Sequence, residues 1–208
     1  MKQKIVFTLI VIAAASLLAV SMSGSNAHSQ EIKRILSIEA YDYLNTLPDT
    51  YLIDVRTKAE YEYLGHPNNA YLYPYMLLTD KLIKNGDKYA YKTMKNKDFL
   101  SEITKSFKKT DNLLILSRDG AVSALAAKDI SGAGFKNVYD IKDGFEGAEF
   151  PTFDDPNVQK YYRQLAKRYK IEGYQQRRHY GWQWWGLPWT YEMDSKYIYP
   201  PDLRVSGK

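Results

Sequence analysis

The sequence has 208 residues, enough for one domain with a sizeable core plus an extension. It contains no cysteine, which excludes disulfide bonds and any reaction that needs a thiolate from this chain. The formal net charge of +5 is mildly basic and does not by itself indicate nucleic-acid binding, so we expect no nucleic-acid partner.

The N-terminus has the pattern of a secretion signal. Lys2 and Lys4 precede an uncharged apolar run over residues 5–20, and small residues follow. The run is slightly shorter than the about 20 residues of a stable membrane span, so we expect cleavage rather than retention as an anchor. The small residues suit cleavage after Ala27 or, alternatively, after Ser29. We therefore expect a protein secreted across the inner membrane to the periplasm, with no stable membrane span after cleavage.

Short apolar runs alternate with amphipathic stretches after residue 35, and this alternation predicts an α/β fold with a parallel sheet covered by helices on both faces. The predicted strands cover a short segment at residue 35 and residues 51–56, 70–75, 113–116 and 136–141. The predicted helices cover a segment that Ser37 caps and that ends at residue 46, a turn at 57–61, residues 98–107 and 121–131, and a short helix after the turn at 142–147. Residues 76–98 are expected to form a long polar connection with solvated lysines, and a docking patch is the alternative.

One strand leads directly into a tight loop and a helix, a common position for a site in α/β proteins. This stretch consists of the strand at 113–116, the loop residues Ser117, Arg118, Asp119 and Gly120, and an alanine-rich helix that starts at Ala121. The loop N–H groups and the helix N-terminus converge on one point and favour an anion there. We therefore expect a small anion or ligand in this pocket, although Asp119 opposes an anion by its charge and Arg118 offsets that charge.

Three motifs follow one another along the chain. The first comprises Asp54, Arg56, Glu60, Gly65 and His66. The second comprises Ser117, Arg118, Asp119, Gly120, Ala121, Val122 and Ser123. The third runs from residue 133 to residue 147. In type, order and spacing these motifs resemble those of rhodanese-like domains, and the resemblance covers residues 35–150. It implies the same α/β fold.

The resemblance also bears on the chemistry of the loop. In that family the loop begins with a cysteine that becomes a persulfide, and an arginine commonly closes it. Here Ser117 stands at the cysteine position and Val122 at the arginine position, whereas Gly120 and Ser123 match the family. A serine hydroxyl cannot hold a transferable sulfur atom and needs an adjacent base to react. We therefore expect a retained scaffold with no catalytic residue and no cofactor.

The first motif is mainly structural in that family. The resemblance implies that Asp54 accepts backbone N–H groups at the end of its strand, and we expect Arg56 to pair with an acid such as Glu60. His66 has no second ligand at helical spacing, so a structural or solvent-facing role is expected rather than metal binding.

The chain beyond residue 150 has no counterpart in the resemblance. Residues 158–171 have the pattern of a basic helix, and four tryptophans then occur within eight residues. These rings must either pack on the domain, which is the simpler outcome, or contact a partner. The residues of such a partner surface are Arg177, Arg178, Trp182, Trp184, Trp185 and Trp189. The predicted organisation is a signal peptide at 1–27, a flexible N-terminus at 28–34, a rhodanese-like domain at 35–150 and a Trp/Tyr-rich basic extension at 151–208.

Three hypotheses for function remain open at this point. In the first, the chain is a catalytically inactive rhodanese-like protein of the bacterial envelope that binds a protein partner. In the second, it is a sulfurtransferase-related or serine-dependent enzyme that uses Ser117. In the third, which family analogy alone suggests, it is an accessory to an envelope sulfur or redox pathway.

Overall fold

The computed structural model describes residues 32–149, 154–168 and 177–198. The expected signal peptide, both cleavage positions and part of the predicted extension at 151–208 lie outside these ranges. The strands of the described residues are β1 (Lys33–Ile35), β2 (Thr50–Asp54), β3 (His66–Pro67), β4 (Tyr71–Leu72), β5 (Met76–Asn85), β6 (Lys88–Lys95), β7 (Asn112–Leu116), β8 (Asn137–Ile141), β9 (Ala148–Glu149), β10 (Arg177–His179) and β11 (Trp189–Thr190). The helices are α1 (Ser37–Thr46), α2 (Lys58–Tyr63), α3 (Phe99–Ser106), α4 (Ala121–Gly132) and α5 (Pro156–Arg168), with a 3-10 turn at Ser195–Tyr197.

Five of the strands form a parallel sheet in the order β1-β8-β7-β2-β4. The central strand β7 is buried over residues 113–116, because both faces of the sheet are covered. A continuous apolar run is what a strand in this position requires. The predicted α/β fold with a covered parallel sheet is thus confirmed.

The helices divide between the two faces of the sheet. On one face, Phe99 and Ile103 of α3 pack with α4 against the sheet. On the other face, Ala40 of α1 packs near Leu52 of β2. Trp182 of the C-terminal segment (residues 177–198) belongs to the same cluster. Apolar burial on both faces is the main favourable contribution to this arrangement.

Some predicted boundaries differ from the structure. The strand expected at 70–75 is limited to β4, and the helix expected after 142–147 is not present in the described residues, where a turn leads into β9. Ser37 is not the N-cap of α1. Leu36 holds that position, and the Glu39 carboxylate accepts its N–H at 2.7 Å. The Ser37 hydroxyl is instead buried and bonded to the turn at 142–147.

Residues 76–98 differ most from the prediction. β5 and β6 form a two-stranded antiparallel ribbon, here called the arm (residues 76–95), rather than an irregular polar connection. Asn96 closes the base of the arm. Its N–H donates to the Tyr75 carbonyl at 2.9 Å, and its side-chain amide donates to the Pro74 carbonyl at 2.9 Å.

The C-terminal segment folds back on the domain. β10 pairs with β9, and β11 pairs with β3, both in antiparallel orientation. The Trp182 ring is 1% exposed and meets the Tyr41 ring edge-on, with 6.0 Å between their centroids. Helix α5 covers most of the predicted basic helix, and the predicted end of that helix at 169–171 lies outside the described residues.

Among the helices of the described residues, none combines the length and the apolar character that crossing a membrane requires.

Candidate functional site

The loop after β7 begins with a serine whose hydroxyl is buried. Ser117 is 1% exposed. Its Oγ accepts a hydrogen bond from the Gly120 N–H at 3.2 Å and donates to Ser123 Oγ at 3.1 Å. Ser123 Oγ in turn donates to Asp140 Oδ1 at 2.6 Å. These bonds form a buried path from the loop through α4 to β8, here called the serine–aspartate chain (Ser117, Ser123 and Asp140).

The serine–aspartate chain makes the Ser117 hydroxyl a structural group. A nucleophilic serine donates its proton to a base, usually a histidine, whereas Ser117 donates to another hydroxyl. The carboxylate at the end of the chain is also balanced by Arg34, whose Nε lies 2.8 Å from Asp140 Oδ2. Within the described residues, none of the hydrogen bonds of Ser117 involves a histidine.

Two N–H groups of the loop are already used inside it. The Gly120 N–H points to Ser117 Oγ, and the Ala121 N–H donates to Asp119 Oδ1 at 3.2 Å. An anion entering the loop would compete with this carboxylate and be repelled by it. The geometry therefore does not favour the expected small anion, whose binding stays a prediction.

The turn after β8, here called the closing turn (residues 142–147), lies against the loop. The Phe145 N–H donates to the Ser117 carbonyl at 2.9 Å. The Glu146 N–H donates to the Arg118 carbonyl at 3.0 Å, and the side chains of these two residues form an ion pair at 3.0 Å. A Cβ at Gly144 would lie 2.6 Å from the Arg118 backbone, so this close approach requires glycine.

Asp143 connects the closing turn to two other segments. Its Oδ1 accepts hydrogen bonds from the N–H and the hydroxyl of Ser37, both at 2.8 Å. Its Oδ2 accepts bonds from the Gly181 N–H at 3.0 Å and from Trp185 Nε1 at 3.1 Å. A buried carboxylate is stabilised when such donors replace water. Asp143 thereby holds the start of α1, the closing turn and the C-terminal segment together.

Asp54 and Arg56 of the first motif form a buried ion pair. Arg56 Nη2 lies 2.7 Å from Asp54 Oδ2, and the Arg56 N–H donates to Asp54 Oδ1 at 3.1 Å. The guanidinium also donates to the Gly65 carbonyl at 2.9 Å and lies over the Phe145 ring at 4.2 Å. The predicted local pairing of Arg56 with an acid is confirmed, but the acid is Asp54 rather than Glu60, whose carboxylate caps the N-terminus of α2.

His66 is buried beside the C-terminal segment. Its ring stacks on Tyr61 with 3.7 Å between centroids, and its Nδ1 lies 3.2 Å from the Pro67 carbonyl. Burial lowers the pKa of His66 below its ordinary value and raises the pKa of the Tyr61 phenol. Both rings are therefore uncharged at neutral pH. Within the described residues, no cluster of three or more His, Cys, Asp or Glu side chains could hold a metal ion.

The predicted partner surface is only partly accessible. Trp182 belongs to the core, so its place in that surface is wrong. Trp185 is partly buried and bonded to Asp143, whereas Trp184 is 50% exposed. Trp189 lies in β11 against Gly65, and the two arginines of the set lie in β10.

Two acids of this region were not among the predicted site residues. Asp140 interrupts a buried strand and Asp143 follows it, and a carboxylate in such a position must find donors elsewhere. That signal is present in the sequence. The donors come from other segments at separations of 17 residues for Ser123 and Asp140 up to 106 residues for Ser37 and Asp143, so sequence spacing could not identify them.

Comparisons with known proteins agree with the geometry of the fold. A family model described as the rhodanese-like domain matches residues 37–149. An uncharacterised protein of Rickettsia rickettsii is 32% identical over 119 residues, which cover 56% of this chain and 85% of that protein. The chloroplastic thiosulfate sulfurtransferase 16 of Arabidopsis thaliana is 33% identical over 93 residues, covering 45% of this chain and 68% of that protein. The crystal structure of Rv0390 from M. tuberculosis is similar in fold, with a TM-score of 0.54 and 23% identity over 77% of this chain and 98% of that one.

Proposed function

The chain belongs to the rhodanese-like domain family, and from that premise we propose that it is a binding or accessory module of the bacterial envelope without sulfurtransferase activity. The resemblance to this family connects the domain with sulfur chemistry, and the name of the Arabidopsis relative is consistent with that connection. The pathway in which the module acts is accordingly a sulfur or redox pathway. The secretion signal expected from the sequence supports the envelope location.

One observation carries the proposal that transfer chemistry has been lost. The residue at the family's cysteine position is Ser117, and its hydroxyl is committed to the serine–aspartate chain. With no cysteine in the sequence, this loop has no thiolate to accept sulfur. The closing arginine of the family is also replaced, by Val122. The acceptor is thus lost, and the loop's usual cation for an anionic donor is replaced by an apolar side chain.

The competing proposal of a serine-dependent enzyme has less support. The Ser117 hydroxyl is buried and donates to Ser123, so neither access nor a base is provided for attack on a substrate. The buried His66 ring is stacked on Tyr61, and none of the hydrogen bonds of Ser117 within the described residues involves it.

A thiosulfate:cyanide sulfurtransferase assay tests the proposal. The proteins are the wild type, Ser117→Cys, which places a thiol in the loop, and Ser101→Cys, which places one on the exposed surface of α3 as a matched control. We expect the wild type and Ser101→Cys to stay at the background rate, with any turnover confined to Ser117→Cys. Clear turnover by the wild type, or labelling of Ser117 by a fluorophosphonate probe, would reject it.

A further inference from the structure

The arm projects side chains into solvent over most of its length. All described residues of β6 are exposed, and β5 is exposed from residue 80 onward wherever its side chains are described. The exposed fraction reaches 55% for Leu82, 69% for Tyr89 and 56% for Tyr91. An isolated two-stranded ribbon is marginally stable in water, and exposed apolar side chains in one cluster indicate an interaction surface.

Both faces of the arm carry apolar side chains. Opposite residues in an antiparallel pair share a face, and successive residues of a strand alternate between faces. The register therefore places one apolar set on each face. The first face carries Leu78, Leu82, Tyr89 and Tyr91. The second carries Leu77, Ile83, Ala90 and Met94.

The arm and the two residues that follow it are also basic. Residues 76–97 contain six lysines and two aspartates, a net charge of +4. Lys95 is paired with Asp129 at 2.6 Å. The other five lysines make no ion pair within the described residues. They are Lys81, Lys84, Lys88, Lys92 and Lys97.

An apolar cleft lies where the arm meets α3. It has a volume of about 420 Å³ and is bordered by Met94, Phe99 and Leu100, with Lys95 and Lys97 at its rim. The cleft is large enough for one apolar side chain. Lys97, which makes no ion pair within the described residues, favours a carboxylate beside that side chain.

From these features we propose that the arm and the cleft at its base dock an acidic segment of a partner protein, which inserts an apolar side chain beside Met94 and Leu100. This inference names the partner chemistry of the binding module proposed above and rests on that proposal. A lipid surface would cover only one face of the arm and leave the other apolar face in water. A second copy of the chain would bring one basic arm against another, and duplex DNA would leave the leucines and Met94 without apolar contacts.

Peptide binding to the full chain, measured by fluorescence anisotropy, tests the proposal. The probe is a labelled octapeptide, Asp-Glu-Glu-Phe-Leu-Glu-Glu-Asp. One comparison peptide has Ser-Ser in place of Phe-Leu, and the other has lysine in place of every acid. We expect the probe to bind at least about tenfold more tightly than either comparison peptide, and to weaken as salt rises from about 0.05 M to about 0.5 M. The difference from the Ser-Ser peptide measures the contribution of the cleft. The difference from the lysine peptide measures the contribution of the arm's lysines.

Variants of exposed residues locate the site. Lys84→Glu with Lys92→Glu reverses one charge on each face, and Met94→Ser removes the apolar wall of the cleft. Each is expected to weaken binding of the probe by about tenfold. Lys58→Glu with Lys108→Glu makes the same charge change on exposed positions away from the arm and is expected to leave binding unchanged.

Four results would overturn the inference: equal affinity for the three peptides, equal loss in the arm and control variants, stronger binding to phosphatidylglycerol vesicles or duplex DNA than to the probe, or an arm-dependent dimer in sedimentation. The sulfurtransferase assay on the same preparations separates the two proposals. Turnover by the wild type would contradict the proposed loss of sulfurtransferase activity. Any of the four results above, without turnover, would contradict the docking surface and leave that proposal standing.

Discussion

Three buried carboxylates near the carboxyl ends of the strands define the region where the family has its reactive loop. Asp54 is paired with Arg56, Asp140 with Ser123, and Asp143 with donors from two distant segments. Burying a charged group is unfavourable unless ionic or hydrogen-bonding partners compensate. These three carboxylates beside the loop thus already have partners, which suits a fixed scaffold better than a reactive pocket.

Removing the Ser123 hydroxyl should destabilise the protein. Ser123→Ala breaks the bond to Asp140 and leaves the Ser117 hydroxyl without its acceptor, so we expect a loss of about 1.5–3 kcal/mol in the free energy of unfolding. Urea denaturation followed by circular dichroism measures this as a lower midpoint at unchanged slope. Ser131→Ala, in the last turn of the same helix, is the matched control and should shift the midpoint little. Equal midpoints for the two variants would show that the serine–aspartate chain contributes nothing.

At the scale of secondary structure, the sequence predicted the elements that bury an apolar face against the core. Strands β2, β7 and β8 and helices α3 and α4 were predicted within a few residues, because apolar runs and amphipathic periods report burial directly. The arm has no buried face, and a register shift between Leu78 and Leu82 interrupts the alternation of its side chains between the two faces. Neither an apolar run nor an amphipathic period therefore predicted its strands. The loop position of Ser117 was predicted from the motif, but its bonding to Ser123 and Asp140 depends on how α4 packs on β8.

Shortening the arm should leave the domain folded. Leu78 lies opposite Thr93, so replacing residues 79–92 with Asn-Gly joins this pair by a two-residue turn of favoured geometry. The removed residues are mostly exposed, so we expect the melting temperature to change by no more than a few degrees. Thermal unfolding followed by circular dichroism measures this change. A collapse of the cooperative transition would mean that the arm belongs to the core.

Two tryptophans of the C-terminal segment should respond very differently to truncation. Trp182→Ala removes a ring that is 1% exposed and should lower the free energy of unfolding by about 3–5 kcal/mol. Trp184→Ala removes a ring that is 50% exposed and should have a much smaller effect. Urea midpoints of the two variants give the comparison. A large effect of Trp184→Ala with little effect of Trp182→Ala would contradict the packing described for this segment.

At the scale of the whole molecule, the C-terminal segment completes the domain. β11 pairs with β3, and the Trp182 and Gln183 N–H groups donate to carbonyls of the closing turn at 2.8 and 3.1 Å. The closing turn also bonds to the loop, so hydrogen bonds connect three segments that are distant in the sequence. Because His66 lies in β3, which pairs with β11 of the C-terminal segment, we expect the stability of the domain to depend on the protonation of His66.

The protonation of His66 should make stability fall in mild acid. Burial lowers the pKa of His66 in the folded protein from its ordinary value of 6.5. At pH values between the folded and the unfolded pKa, the unfolded chain binds more protons, so the free energy of unfolding decreases as the pH falls below 6.5. His66→Phe keeps an aromatic ring against Tyr61 and cannot titrate. Urea midpoints at about pH 7.5 and about pH 5.5 should therefore differ less for this variant than for the wild type. Equal differences in both proteins would assign the acid sensitivity to carboxylates instead.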